Sequence, residues 1–409
     1  MAIPSSTPAI RHPSSFAALV LHATIVNALV LGIRLVASYR TLALDADALA
    51  LGIVASAFAI LPVFAAVPLG RLTDRYGEPI FLTLGALLMG AGAFLTLAAP
   101  TIPLLALSQA LLGIGQLMAV IGSQTLVGRW FPSPAARSGR FGLYAAGAAV
   151  GQLLGPIAGA IVVGAALSGQ EVLLGVPLFV LPAIVSAGLA LGILAREGRR
   201  APRSGADGRP VAPVPAMTIL RWPGMGRTMV ASLAINLGVD TLVVFLPAYG
   251  EANGLPVEVV GALLALRSAT AIGARVLTGR VVRKLGDGPA LRLVIVIAAA
   301  AYLTIPLTAN PFVLGIQVIL LGLGLGLGQP LTLAWVAATS PPAAMGTAIA
   351  VRLTGNRVAQ LFAPALLGAL AGPAGLAAVF LSLGGLLGAS AALLAWRPMP
   401  AGEQREKDG

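Results

Sequence analysis

Six charged side chains fall inside long apolar stretches of this chain: Arg34, Asp240, Arg267, Arg275, Arg352 and Arg357. A charge held in hydrocarbon costs at least ~2.5–3.5 kcal/mol, so a residue of this kind is a functional candidate by default. Asp240 can neutralise one arginine, which leaves several guanidiniums without a protein counter-ion. The planar donor fork of a guanidinium matches a carboxylate. Arg34, Arg267 and Arg357, with Arg352 in reserve, are therefore read as ligands for an anionic group. Arg352 and Arg357 are five residues apart, about 140° around a helix, so they do not share a face. The structural alternative is that these arginines cap carbonyls of bent helices, pair with Asp240 or snorkel to an interface. Arg275, close to a helix end, is expected to snorkel. Asp240 is either a proton-coupling site or a fixed salt-bridge partner of Arg34 or Arg267.

The elements that must position these groups are membrane helices. Of the 409 residues, 58% are hydrophobic and only 10% are charged, with a mean hydropathy of +0.94. Soluble domains carry roughly 25% charged residues, so a globular core is excluded. The 50 glycines and 30 prolines fit helices that pack backbone to backbone and bend. With no cysteine and two histidines, His12 and His22, neither a disulfide framework nor a metal site is expected. The net charge of +12 would suggest nucleic acid in a soluble protein; here its placement argues for topology instead. Arg11 precedes an apolar run too long for a cleavable signal, so none is expected.

Apolar runs of about 20 residues, the length that spans a bilayer, occur near 16–39, 49–69, 80–99, 103–127, 141–166, 173–195, 227–249, 257–279, 291–309, 311–337, 344–370 and 374–396. Twelve helices place both termini on one side. On that side fall 20 of the 26 Lys and Arg residues, whereas Arg40 alone is expected in the opposite loops. This asymmetry marks the terminal side as cytoplasmic. The expected organisation is an N-terminal six-helix bundle over 1–195, an arginine-rich cytoplasmic linker over 196–226, a C-terminal bundle over 227–397 and a tail over 398–409.

One charged stretch stands between two uncharged runs: Gly70-Arg71-Leu72-Thr73-Asp74-Arg75-Tyr76-Gly77. It reads as a tight cytoplasmic loop between the second and third helices. Gly70, Leu72, Asp74, Arg75 and Gly77 match position by position the pattern G-x-L-x-D-R-x-G, and the octet resembles that loop of the major facilitator superfamily. The repeats extend the resemblance over essentially the whole chain. Gly279 to Gly286 repeats the octet at an offset of 209, with Arg283 in place of Asp74. Gly113-Ile114-Gly115-Gln116 recurs as Gly326-Leu327-Gly328-Gln329, and Gln152 to Pro156 recurs as Gln360 to Pro364. Three matches in one order at nearly one spacing indicate a parallel six-helix repeat.

The resemblance implies an all-α membrane protein of twelve transmembrane helices in two pseudo-symmetric six-helix bundles. It also implies alternating access about a central site, lined by the first, fourth, seventh and tenth helices. Asn27, Gln116, Gln124, Asn236, Gln329, Thr332 and Trp335 lie on those helices, and Asn27, Gln116, Gln329 and Trp335 join the arginines as substrate-binding candidates. Gly70, Asp74, Arg75 and Gly77 would form a conformational latch on the cytoplasmic side, stronger in the N-terminal half because Arg283 replaces the second aspartate. Gly147, Gly151, Gly155-Pro156 and Gly159 present a bare packing face. They resemble the fifth-helix pattern of facilitator drug/proton antiporters, but Gln109 stands where the companion arginine of those antiporters would be. The second helix lacks arginine, unlike the nitrate/nitrite branch. Gly322 to Gly328 lacks nucleotide-loop spacing and is read as a smooth helix face.

The expected protein is thus a secondary transporter, not an enzyme, in an inner membrane. Its partners are the lipid bilayer and a small-molecule substrate, an anion such as a carboxylate, with or without a co-transported proton. No cofactor, metal or nucleic acid is expected, and nothing demands more than a monomer. The alternatives are proton-coupled efflux of amphiphiles and a non-transporting membrane sensor.

Overall fold

The computed structural model describes residues 13–130, 134–166, 170–197, 216–222, 224–339 and 345–396. Among them every regular element is helical. An apolar chain in lipid must pair its backbone groups internally, and a helix does so within one segment. Twelve long helices result. They are α1 Pro13–Ala43, α2 Ala48–Tyr76, α3 Glu78–Ala98, α4 Ile102–Trp130 and α5 Pro134–Ala166. The sixth, α6, runs as Glu171–Gly175, a π-helical turn Val176–Val180 and Leu181–Glu197. After a five-residue helix Ala216–Leu220 come α7 Met225–Ala252, α8 Val257–Leu285 and α9 Asp287–Thr304. The last three are α10 Pro311–Thr339, α11 Met345–Ala374 and α12 Leu376–Trp396. Among the described residues eleven of these are long and apolar enough to cross a membrane. The twelfth, α11, is of similar length and carries Arg352 and Arg357.

The stretch from Gly70 to Gly77 is not the loop that its charges suggest. α2 continues through Tyr76, and only Gly77 breaks the helix, at φ 91°, donating its N–H to Thr73 O at 2.9 Å. Charges spaced three and four apart let a helix run on past the apolar span, and a glycine at positive φ is what ends it. Gly286 does the same between α8 and α9, at φ 76°, with its N–H on Val282 O at 2.8 Å. The two glycines are repeat mates, so the duplication read in the sequence is present in the backbone. The side chains of Gly70, Arg71, Asp74 and Arg75 lie outside the described residues, and so therefore does the expected latch apart from Gly77.

Within the N-terminal half α5 lies along α1, and the expected glycine face makes the seam. A Cβ on Gly151 would stand 2.0 Å from Thr24 O, one on Gly155 2.6 Å from Ala28 O, and one on Gly159 2.8 Å from Gly32 O. Pro156 sits within α5 at this seam. The halves meet along α2 with α11, α5 with α8 and α1 with α7. Gly52 abuts Pro364 and Gly368 abuts Ala48, while Ala365 N donates to Ser56 Oγ at 3.1 Å. On the other flank Gly261 abuts Pro156 and Ala160. All of these contacts lie toward the ends of the helices opposite the α2–α3 turn, so there the two halves are closed upon one another.

Candidate functional site

The charged residues fall into two polar clusters and one outlier. The first cluster bridges the halves. Arg34 of α1 pairs with Asp240 of α7, Nη1 to Oδ1 at 2.5 Å, with the side chains 6% and 9% exposed. The second Asp240 oxygen accepts from Gln360 Nε2 of α11 at 2.6 Å, and Arg357 Nη1 donates to Gln360 Oε1 at 2.9 Å. The Arg34 guanidinium also lies 4.8 Å over the Phe58 ring of α2. Three helices, α1, α7 and α11, are thus tied through one carboxylate, and α2 joins them through Phe58. A cavity of about 10 Å3, the room of a single water, adjoins Arg34, Ser38 and Gln109.

The second cluster belongs to the C-terminal half and is centred on Gln329 of α10. Arg275 Nη2 of α8 donates to Gln329 Oε1 at 3.2 Å, and Gln329 Nε2 reaches Asn236 Oδ1 of α7 at 3.3 Å. Arg352 Nη2 of α11 donates to Thr332 Oγ1 at 3.0 Å and stands 3.5 Å from Gln329 O. The Arg352 Nε is buried without a partner. Two guanidiniums therefore converge on one neutral glutamine, Arg275 on its side-chain oxygen and Arg352 on its main-chain carbonyl. Arg275 is half-buried in this network, not turned out to an interface: Gln329 of α10 provides its partner, which removes the reason to snorkel.

The outlier is Arg267. It is 3% exposed, its Nη2 donates to Ser268 Oγ at 3.0 Å and its Nε has no partner. It lies within electrostatic reach of Tyr302 of α9 and, less strongly, of Arg275 and Asp240. The Trp335 ring covers Gly224 where α7 begins. In the N-terminal half Asn27 accepts from Gln152 Nε2 at 3.3 Å, linking α1 to α5 as Gln360 links α11 to α7. Gln116 is half-buried and its Oε1 is unpartnered.

The stripe Ser232, Asn236 and Asp240 on α7, at four-residue spacing, connects the clusters. Asn236 Nδ2 donates to Ser232 O at 2.7 Å, and Ser232 Oγ reaches Asn356 Oδ1 of α11 at 3.4 Å. The sequence reading named neither Gln360 nor Asn356 as a site residue. The signal for Gln360 was available, because its repeat mate Gln152 bridges the matching pair of helices. Among the described residues no group of His, Asp and Glu has the spacing of a metal site.

The architecture is shared with solved transporters. A bacterial homolog of the human lysosomal transporter Spinster, captured inward-facing and unoccupied, superposes with a TM-score of 0.69 at 17% identity over 96% of each chain. The nucleoside transporter NupG gives 0.75 at 14% identity, covering 93% of this chain and 99% of that one. A peptide transporter, POT, in complex with sulfate gives 0.75 at 17% identity over 94% of each chain. No curated protein sequence matches. The family model for the Major Facilitator Superfamily matches residues 16–328, most of the chain, and this protein belongs to that superfamily.

Proposed function

We propose that the protein is a secondary transporter of a small organic anion, with the anion held between Arg275 and Arg352 beside Gln329, Thr332 and Asn236. The observation that carries this reading is the meeting of two cations on a neutral glutamine while Asp240 is fully engaged elsewhere. Uncompensated buried charge is strongly unfavourable, and an incoming carboxylate would supply the missing counter-charge through charge-assisted hydrogen bonds. A lipophilic cation would meet both arginines across a poorly screened path, which disfavours the efflux reading.

Asp240 serves as the inter-half tie. While it holds Arg34 and Gln360, the halves stay closed at the end opposite the α2–α3 turn. Protonation of the carboxylate would weaken the tie and let the halves rock, which makes Asp240 the candidate proton-coupling group. The arginine asymmetry supports cytoplasmic termini in an inner membrane, and so a cytoplasm-facing state for this conformation. The arrangement requires only one chain.

The test is a thermal-shift screen of the purified protein against small carboxylates and lipophilic cations, followed by flux in sealed proteoliposomes. A ligand at ~100 Kd stabilises by ~2.7 kcal/mol. Carboxylates are expected to raise the melting temperature in the native protein but not in Arg352→Gln or Arg275→Gln, and to be transported. Stabilisation by cations alone, indifferent to both substitutions, refutes the anion reading. Carboxylate binding without flux refutes transport and favours a sensor.

A further inference from the structure

The internal repeat makes α7 and α11 the counterparts of α1 and α5, yet the two seams differ. Asn27 corresponds to Asn236 at an offset of 209, which aligns Thr24 and Ala28 with Leu233 and Leu237. Gln152 corresponds to Gln360 at 208, which aligns Gly147, Gly151 and Gly155 with Gly355, Ala359 and Ala363. In the first half small residues face each other and the helices touch: a Cβ on Gly151 would lie 2.0 Å from Thr24 O. In the second half two leucines face the small residues of α11, and helices cannot close to backbone contact over leucine side chains. A Cβ on Gly355 would meet nothing within 4 Å. The gap is a groove of about 700 Å3, lined by Leu233 and Leu237 of α7 and by α11 from Val351 to Leu366, apolar but for Thr354.

The groove's size and ends define what fits it. From Val351 to Leu366 α11 rises about 22 Å, longer than the ~15 Å that half a ~30 Å hydrocarbon layer allots to one lipid tail. A partner helix of that length, about 10 Å across, would fill roughly 1,700 Å3, more than the room present. A single hydrocarbon chain fits. At one end of the groove, next to Val351, stands Arg352, buried and with its Nε unpartnered. About 100° per residue places Arg352 within some 20° of the groove-lining Ala359 on the surface of α11. A cation at the end of an apolar trough complements an anionic head on one long tail.

Resting on the anion site above, we infer that the α7–α11 seam holds the hydrocarbon tail of a single-chain anionic amphiphile whose head group is bound by Arg352. The substrate class is then a long-chain carboxylate or a chemically equivalent anion, and its tail lies in the opened seam while its head occupies the Gln329 cluster. Ser232, next to the groove-lining Leu233, reaches Asn356, next to the groove-lining Gly355, at 3.4 Å.

The experiment is photo-crosslinking in nanodiscs with octadecanoate carrying a mid-chain diazirine, with labelled peptides mapped by mass spectrometry. Labelling is expected on α11 between 351 and 366 and on α7 near Leu233 and Leu237. Gly355→Leu should reduce it at least tenfold, since a side chain there meets open space and the fold is spared. Ala359→Phe provides a second filling variant, and Arg352→Gln should reduce groove labelling similarly. A phosphatidylcholine bearing the same tail is the control. If it labels the groove as strongly as the fatty acid, the occupant is bulk lipid and the inference is overturned. Groove labelling that survives both filling variants also overturns it. Stabilisation by acetate that requires Arg352 and persists in Gly355→Leu would show the anion site intact, so failure of the groove is distinguishable from failure of that site.

Discussion

Asp240 is the residue whose removal should most change how the halves hold together. It accepts from Arg34 and Gln360 and lies within electrostatic reach of Arg357. Asp240→Asn keeps an acceptor for Gln360 but leaves Arg34 and Arg357 without an acid. Breaking a buried pair by removing one partner costs ~3–5 kcal/mol, and each ~1.4 kcal/mol is tenfold in an equilibrium. If most of this cost falls on the closed state, the population open at the end opposite the α2–α3 turn rises by about 10²- to 10³-fold. Arg34→Gln should do less, because Arg357 can take over the carboxylate and Gln360 remains bonded to it. The chain has no cysteine, so Ser56→Cys introduces a unique reporter at the α2–α11 contact, where the hydroxyl is 6% exposed and accepts from Ala365 N. Maleimide labelling of that thiol reports opening. Expected rates rise in the order native, Arg34→Gln, Asp240→Asn, with a partial return in the double variant. Unchanged labelling in Asp240→Asn, or a larger effect from Arg34→Gln, refutes the assignment of Asp240 as the tie between halves.

Three further outcomes follow from local geometry. Gly151→Leu should prevent α1 and α5 from packing and abolish a monodisperse peak in size-exclusion chromatography, because even a Cβ would sit 2.0 Å from backbone oxygen; Gly355→Ala, in open space, should change the unfolding midpoint by less than ~0.5 kcal/mol equivalent. Gly77→Ala and Gly286→Ala should each cost ~1–2 kcal/mol, because φ values of 91° and 76° place any side chain in strain, and denaturation midpoints of the two variants should fall by similar amounts. Tyr302→Phe should cost ~0.5–1.5 kcal/mol of stability through loss of the bond to Gly238 O, without altering carboxylate binding in the thermal-shift assay.

Much of the fold is legible in one dimension because the bilayer imposes a length and a composition on every span. The helix count, the half-to-half repeat and the bare face at Gly147, Gly151, Gly155 and Gly159 all follow from runs and spacings. So does the list of buried charges, since each is conspicuous against an apolar background. Pairing is another matter. Which arginine would take Asp240 depended on α1 meeting α7 across the halves, a contact between residues 206 apart. Arg275 looked like an interfacial residue until α10 brought Gln329 beside it, and the neighbours of Arg267, Tyr302 among them, depend on how α8 and α9 pack. The octet at Gly70 to Gly77 read as a loop because its charges end the apolar run; the helix ends about two turns later, at Gly77, where a glycine takes up the positive φ. The sequence determined where the charges and the small residues lie along each helix. Only the tertiary structure decided which of them face one another, because the rotation and separation of packed helices are set by side chains on both partners, and the same small-residue face that closes onto Thr24 and Ala28 in one half is held open by Leu233 and Leu237 in the other.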